Sequence, residues 1–201
     1  MRIDTDNLLE SILENLSKMS HVKTEDIPNI ELYMDQVTTF MDKELRGTAR
    51  NPEEDKVLTK TMINNYAKNK LLPAPNKKKY SKDHILMLTF IYYFKGFLSI
   101  SDIQSILDPL SERYFGKTEG KNLEEIYNQV FRMEKQQMEA IKEDIQQKFE
   151  LAKKNAEGEK EEDAAFMELF SFIALLSFDV YIKKMLIEKM IDDFQEKKEE
   201  K

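Results

Sequence analysis

The chain of 201 residues contains no cysteine and only two histidines, His21 and His84. Without cysteine it can form no disulfide, no thiolate metal site and no cysteine nucleophile, so sensing of thiophilic metals is excluded. Two histidines supply little for metal binding or for acid–base chemistry near neutral pH. The absence of cysteine fits a reducing compartment.

Motifs that position catalytic groups are also missing. The sequence has no glycine-rich phosphate loop, no His-Glu-x-x-His or Glu-x-x-His pair, and no context that suggests a Ser-His-Asp triad. His84 directly follows Asp83 in the first turn of a predicted helix. At that position it is better suited to capping the helix or contacting a phosphate than to catalysis. We therefore predict a non-enzymatic protein with no catalytic residues, no metal site and no cofactor.

Long uncharged apolar runs are lacking as well. The longest, residues 85–94 and 169–178, have ten residues each, about half of what a bilayer-spanning helix needs. Acidic residues are spread through the first 16 positions, where a signal peptide would be apolar. The sequence therefore predicts no membrane segment and no signal peptide, and we expect the protein to be cytoplasmic.

Glycine and proline number only five each, and the apolar residues between them recur with a helical period. A mainly α-helical protein is expected. In the first half of the chain we predict one helix within the first 20 residues, a basic helix at 59–72, and further helices at 30–47, 81–96 and 99–109. Pro28 suits a first helical turn, and Pro109 is expected to close the last of these helices.

Two long helices are predicted in the second half of the chain. Neither glycine nor proline occurs from residue 122 to about 154, and Gly158 marks a reversal before a helix at about 163–195. This last helix is apolar nearly all round from Phe166 to Ile182, so several of its sides need cover. A homodimer formed through the C-terminal helices would provide it, and the alternative is packing against the N-terminal helices of the same chain.

The charge is unevenly distributed. The whole chain has a net charge of −7, yet residues 56–98 hold nine lysines and a single acid, Asp83, which gives this block +8. A local electropositive surface of this kind attracts phosphates. The alternative is an ordinary solvated lysine face.

Within that block, three features follow one another. Thr59 can cap the helix 59–72, the prolines at 73 and 75 end it, and residues 76–81 (NKKKYS) form a basic turn that we expect to be a small two-stranded hairpin. In winged helix-turn-helix proteins, one helix reads base edges in the major groove while a basic wing holds phosphates.

Residues 57–107 resemble the DNA-binding region of the MerR family. The matching residues are Leu71, Leu72, Pro73, Pro75, Lys78, Lys79, Tyr80, Ser81, Gly96, Phe97, Ser99 and Ile103. Asn64 stands in place of the family's arginine, Asn65 and Tyr66 stand at its two tyrosines, and Lys70 replaces a glycine. About twelve residues separate Arg46 from the basic helix, where the family has a short turn.

The stretch from IPNIELYMDQV to SISDIQSIL is similar to the bacterial family called domain of unknown function 1836. Together the two resemblances imply a MerR-like winged helix-turn-helix with a small β-hairpin wing, in an N-terminal domain of residues 1–110. A helical dimerisation or effector domain of residues 111–201 would follow as a long-helix hairpin.

The implied function is that of a DNA-binding transcriptional regulator, with recognition helix 59–72 in the major groove of double-stranded DNA and basic wing 76–81 on phosphates. The candidate DNA-binding residues are Thr59, Lys60, Thr61, Asn64, Asn65, Tyr66, Lys68, Lys77, Lys78, Lys79 and Tyr80. The two asparagines have the amide pattern that suits adenine. The alternative is a non-enzymatic helical protein–protein interaction module that keeps the MerR-like shape without binding DNA.

Overall fold

The computed structural model describes residues 5–18, 21–158 and 160–199. Their secondary structure consists of α1 (Thr5–Lys18), β1 (Leu32–Tyr33), α2 (Met34–Leu45), α3 (Lys60–Lys68), β2 (Lys79–Tyr80), α4 (Lys82–Phe94), α5 (Ile100–Tyr114), α6 (Leu123–Ala156) and α7 (Glu161–Glu199). A short 3₁₀ turn, Arg46–Thr48, follows α2. The prediction of a mainly α-helical protein is confirmed.

The helices are grouped in two units, each made from separate parts of the chain. One unit combines α1 with residues 133–187. The other combines residues 21–132 with residues 188–199, and we call it the N-terminal unit. The units are therefore not consecutive halves of the chain, and the division into domains at residue 110 stays a prediction.

The core of the N-terminal unit forms around α4. Every side chain from His84 to Ile91 is buried, and this stretch includes most of the uncharged apolar run 85–94. Neighbouring elements contribute the buried residues Val37, Met41, Leu45, Ile63, Tyr66, Ile103 and Leu107. Each fully buried aliphatic side chain stabilises the fold by about 1.5–3 kcal/mol, so α4 provides the rigid support for the elements around it.

An aromatic cluster joins the start of α6 to this core. The Tyr127 side chain is fully buried, and its ring lies 4.4 Å from that of Phe131 and 5.3 Å from that of Phe90. The Tyr127 hydroxyl donates a 2.6 Å hydrogen bond to the carbonyl of Val22. This contact holds residues 105 positions apart in the sequence together.

The other unit has a smaller core between α6 and α7. Phe149 and Phe172 meet edge to face, with ring centroids 5.3 Å apart, and Ala152 is buried beside them. Leu9 and Ile12 of α1 pack against the same cluster. Much of α7 stays uncovered in this unit, because α6 and α1 contact only part of its circumference.

Length and composition make α7 a candidate for crossing a membrane. The segment Asp163–Lys197 qualifies, and only 6 % of its most apolar stretch is buried. The expectation of no membrane segment relied on uninterrupted apolar runs, which Glu168 and Asp179 break up. That expectation stays a prediction.

The predicted start of the second helix is wrong. Residues after Pro28 do not begin a helix, and Ile30 is 67 % exposed. Instead Leu32–Tyr33 forms a strand and α2 begins at Met34, where the Gln36 side chain accepts a 2.9 Å hydrogen bond from the backbone N–H of Tyr33. The start of α2 is determined by the pairing of this strand with a distant segment of the chain. Local hydrophobic periodicity cannot predict such a pairing.

The predicted stop at Pro109 is also wrong, since α5 continues through it to Tyr114. Proline removes the one hydrogen bond that its own nitrogen would donate. The following turn keeps its bonds, including a 3.0 Å bond from the N–H of Phe115 to the carbonyl of Ser111. One missing bond is therefore tolerated.

Candidate nucleic-acid interface

The basic turn at 76–81 is tighter than the predicted hairpin. Lys77 and Lys78 both have positive φ angles, +48° and +64°, and the N–H of Lys79 donates a 2.9 Å hydrogen bond to the carbonyl of Asn76. Two consecutive positive φ angles define the two-residue turn that matches strand twist. Asn76 and Lys79 form only an isolated bridge, so the expectation of a separate two-stranded hairpin is corrected.

The strand that follows this turn pairs with β1. Leu32 lies opposite Tyr80 and Tyr33 opposite Lys79 in an antiparallel ladder. The Lys79 ammonium also lies 5.5 Å from the centre of the Tyr33 ring, a cation–π distance. The basic turn is therefore attached to the residues that directly precede α2.

The basic helix α3 is shorter than the predicted helix 59–72. It starts after Thr59, whose Oγ1 accepts a 3.2 Å hydrogen bond from the N–H of Met62, and it ends at Lys68. Lys70 adopts a left-handed conformation with φ +61°, and the N–H of Leu71 bonds back to the carbonyl of Tyr66 at 2.9 Å. This turn reverses the chain and buries the two leucines that follow it.

One side of α3 faces the core and the other is polar. Ile63 and Tyr66 are buried. The exposed positions have the spacing of one helical face, and they are Lys60, Thr61, Asn64, Asn65 and Lys68. No acidic residue occurs in α3. The helix thus presents cations and hydrogen-bonding amides together on an uncovered face.

Two of the predicted contact residues lie inside the fold. Tyr66 is 7 % exposed and Tyr80 is 3 % exposed, and burial raises the pKa of both phenols. Their rings anchor α3 and β2 to the core. We therefore correct the expectation that these two tyrosines belong to the exposed interface.

The cations of the candidate interface differ in their surroundings. Lys60 forms an ion pair with Asp35 in the first turn of α2, an acidic neighbour that sequence reasoning missed. By contrast, Lys68, Lys77 and Lys78 form no ion pair with any residue that the structure describes. A phosphate would meet these three lysines without having to displace a carboxylate.

An open cleft of about 610 Å³ lies beside the N-terminus of α3. Thr59, Lys60 and Thr61 line one side, and Thr38 and Thr39 of α2 line the other. The cleft is rich in hydroxyl groups and is also lined by Asp42 and Arg46, and it brings two candidate DNA-binding residues, Thr59 and Thr61, next to Lys60.

His84 has a structural role at the start of α4. It is 4 % exposed, its Nδ1 accepts a 3.0 Å hydrogen bond from the N–H of Ser81, and burial lowers the pKa of its imidazole. Its ring also meets the rings of Tyr80 and Phe115 edge to face, with centroids 5.3 Å and 4.8 Å away. The side chain therefore caps α4 and holds the end of the basic turn against the core.

These elements define a class: a mainly helical protein in which a short basic helix and a lysine turn are mounted on an apolar core helix. Residues 22–130 match the family model described as "Domain of unknown function (DUF1836)", so the chain belongs to that family. The matched range contains all of the candidate DNA-binding residues. Neither the curated proteins nor the solved structures include a significant match.

Proposed function

We propose that this protein is a MerR-like, DNA-binding transcriptional regulator of the cytoplasm. The observation that carries the proposal is the exposed face of α3, which combines two lysines, two asparagines and a threonine with no acid. Asparagine can pair with adenine through two hydrogen bonds in the major groove, and lysine neutralises phosphates. A helix with this face suits the part of a recognition helix.

The basic turn supports the same proposal. α2 packs against both α3 and β2, so one helix supports the candidate recognition helix and the strand that carries the turn. Lys77 and Lys78 project from the tip of a turn whose backbone is fixed by hydrogen bonding and strand pairing. In this proposal the turn serves as a short wing on the DNA backbone, and a homodimer through the C-terminal helices would bind two half-sites.

The salt dependence of DNA binding tests the proposal. Lys60, Lys68, Lys77, Lys78 and Lys79 offer four or five phosphate contacts, so log affinity plotted against log salt should have a slope of roughly −4. Binding to a mixed-sequence duplex of about three helical turns, followed by fluorescence anisotropy, should weaken by about two orders of magnitude between about 50 and 200 mM salt. Absent or salt-independent binding would favour the interaction module.

The ion pair between Lys60 and Asp35 gives a second prediction. Replacing Asp35 with asparagine releases the lysine for a phosphate, and exposed ion pairs contribute about 0.2–1 kcal/mol. We therefore expect Asp35→Asn to bind the same duplex about two- to fivefold more tightly at low salt. Glu44→Gln, which removes one negative charge elsewhere on α2, is the matched control. An equal gain in the control would mean that only the net charge matters.

A further inference from the structure

The uncovered face of α7 is the largest feature that DNA binding does not explain. Within the unit that contains α1, seven large apolar side chains of α7 are 52–66 % exposed, and six of them precede Lys183 in the sequence. They are Phe166, Phe170, Ile173, Phe178, Val180 and Tyr181, and we call them the α7 patch. At 3.6 residues per turn these positions span about 160° of the helix circumference, which places them on one broad side of the helix.

The size of the α7 patch points to a protein interface. An aromatic side chain has about 150–250 Å² to bury, so the exposed parts of these six residues amount to roughly 800 Å². Apolar patches on monomeric proteins rarely exceed about 300–600 Å². About 800 Å² per partner is typical of a stable protein–protein interface. The area therefore corresponds to one half of such an interface.

The charges beside the α7 patch indicate what covers it. Between Glu168 and Lys183 the only charged residue is Asp179, whose carboxylate pairs with Lys148 of α6 at 2.9 Å. Asp163 stands before the patch, and Lys183 and Lys184 stand after it. One end of the patch is thus acidic and the other is basic.

We propose that two copies of this chain associate through their α7 patches, with the two α7 helices antiparallel and crossing near Ala174. In this arrangement Asp163 of one copy lies close to Lys184 of the partner subunit, because the two residues are nearly equidistant from position 174. A parallel arrangement would place like charges together at both ends. The charge pattern therefore favours a second copy, and the antiparallel direction.

A groove between α6 and α7 fits the same arrangement. It encloses about 780 Å³, and Leu151, Phe170, Ala174 and Phe178 are among the residues that line it. The small side chain of Ala174 leaves room at the proposed crossing point, where Ile173 of the partner subunit would enter the groove. Dimerisation would then cover apolar surface of α6 together with that of α7.

Membrane insertion of α7 is the competing explanation. Along this segment α6 is held against α7 by the Phe149–Phe172 contact and by a 3.0 Å hydrogen bond from Asn155 Nδ2 to Ser171 Oγ. The exposed carboxylates of Glu143 and Glu150 on α6 would enter the bilayer with it. Charges at membrane depth are costly, so the described contacts favour a protein partner.

This inference rests on the proposed function, because it specifies the homodimer in which the regulator would bind DNA. The dimer itself is tested without DNA, so a failure to dimerise is distinguishable from a failure to bind DNA. Sedimentation equilibrium at tens of micromolar should give twice the 23.8 kDa chain mass. Phe170→Glu combined with Phe178→Glu should give a monomer with at least a hundredfold weaker self-association and unchanged helix content. Ile30→Glu, at a 67 % exposed site outside the patch, should remain dimeric. A monomeric parent protein, or one that floats with vesicles of neutral lipid, would overturn the inference.

The absence of native cysteine allows the direction to be measured with a short bismaleimide cross-linker. Ala174→Cys alone should cross-link to its own copy. Asp163→Cys alone should not, since the two copies of position 163 would be about 33 Å apart at 1.5 Å per residue. An equal mixture of Asp163→Cys and Lys184→Cys proteins should give the mixed dimer. Efficient cross-linking of Asp163→Cys to itself would contradict the antiparallel arrangement.

Discussion

Reversing the charge of Lys77, Lys78 and Lys79 to glutamate is expected to weaken binding to duplex DNA by at least about 100-fold at low salt. Three phosphate contacts would be lost, and each new carboxylate would be repelled by the DNA backbone. With the charges reversed, the remaining lysines of α3 would hold one or two phosphates, so the salt slope should fall from roughly −4 to roughly −1 or −2. Titrations at several salt concentrations would measure both quantities.

The triple variant should stay folded. Lys77 and Lys78 are exposed and carry no ion pair within the described chain, and glutamate meets the same backbone requirement at a positive φ angle as lysine does. Lys79 gives up its contact with the Tyr33 ring, worth about 0.5–1 kcal/mol at an exposed site. The melting temperature should therefore change by only a few degrees.

A second triple variant serves as the control. It replaces Lys117, Lys121 and Lys135 with glutamate, which makes the same change in net charge at exposed positions outside the basic block. It should keep most of the affinity. If it loses as much DNA affinity as the first variant, the attraction of DNA depends on the net charge of the whole surface, and a specific role of the lysine turn is excluded. If the first variant binds like the parent, the lysine turn does not contact DNA.

How much of this interface could be predicted depends on the range of the interactions involved. The exposed face of α3 and the capping role of Thr59 follow from local spacing and side-chain chemistry, and the structure has both. The burial of Tyr66 was available from the same spacing, because position 66 follows the buried Ile63 by three residues. The resemblance to a DNA-binding motif instead assigns the ring of Tyr66 to the DNA contacts.

Other features required tertiary information. β1 exists because Leu32 and Tyr33 pair with a strand 47 positions further along the chain, and no local pattern encodes that partner. Lys70 is instructive in another way. The resemblance assigns glycine to this position, and here a lysine takes the left-handed conformation that glycine adopts most readily. A positive φ angle is therefore reached here without a glycine, and the residue type gives no local signal for it.

The all-round apolar character of α7 was readable from sequence, but the extent to which its own chain covers it was not. Packing against α6 and α1 hides Phe172 while leaving Phe166 and Phe178 about two-thirds exposed. Hydrophobic periodicity indicates how much of a helix surface is apolar and needs to be buried. It does not indicate whether the same chain or a partner buries that surface.

Replacing Tyr127 with alanine is expected to cause the largest loss of stability of any substitution considered for this protein. The side chain is fully buried and contacts the rings of Phe90, Phe131 and His21. Truncating a large buried side chain of this kind costs about 3–5 kcal/mol, against a total of about 5–15 kcal/mol for a typical domain. Urea denaturation followed by circular dichroism should show the loss as a lower midpoint for the N-terminal unit.

Tyr127→Phe separates the ring from the hydroxyl. It removes the 2.6 Å hydrogen bond to Val22 and leaves that carbonyl without this donor, which costs about 1–3 kcal/mol. Val130→Ala, one turn further along α6 at a 38 % exposed site, is the matched control and should cost under about 1 kcal/mol. A loss below about 1 kcal/mol for Tyr127→Ala would mean that the aromatic cluster does not hold α6 to the core.

The same hydrogen bond connects Val22, the first residue of the family match, to a residue three positions before its end. If Tyr127→Ala unfolds the region, α3 and the basic turn lose their support and DNA binding should fall with stability across the Tyr127 series. Charge reversal at the turn, by contrast, should remove binding at constant stability. Loss of DNA affinity without loss of stability in the lysine variants, together with parallel loss of both in the Tyr127 variants, would show that the lysine turn recognises DNA and that Tyr127 acts only by stabilising the fold.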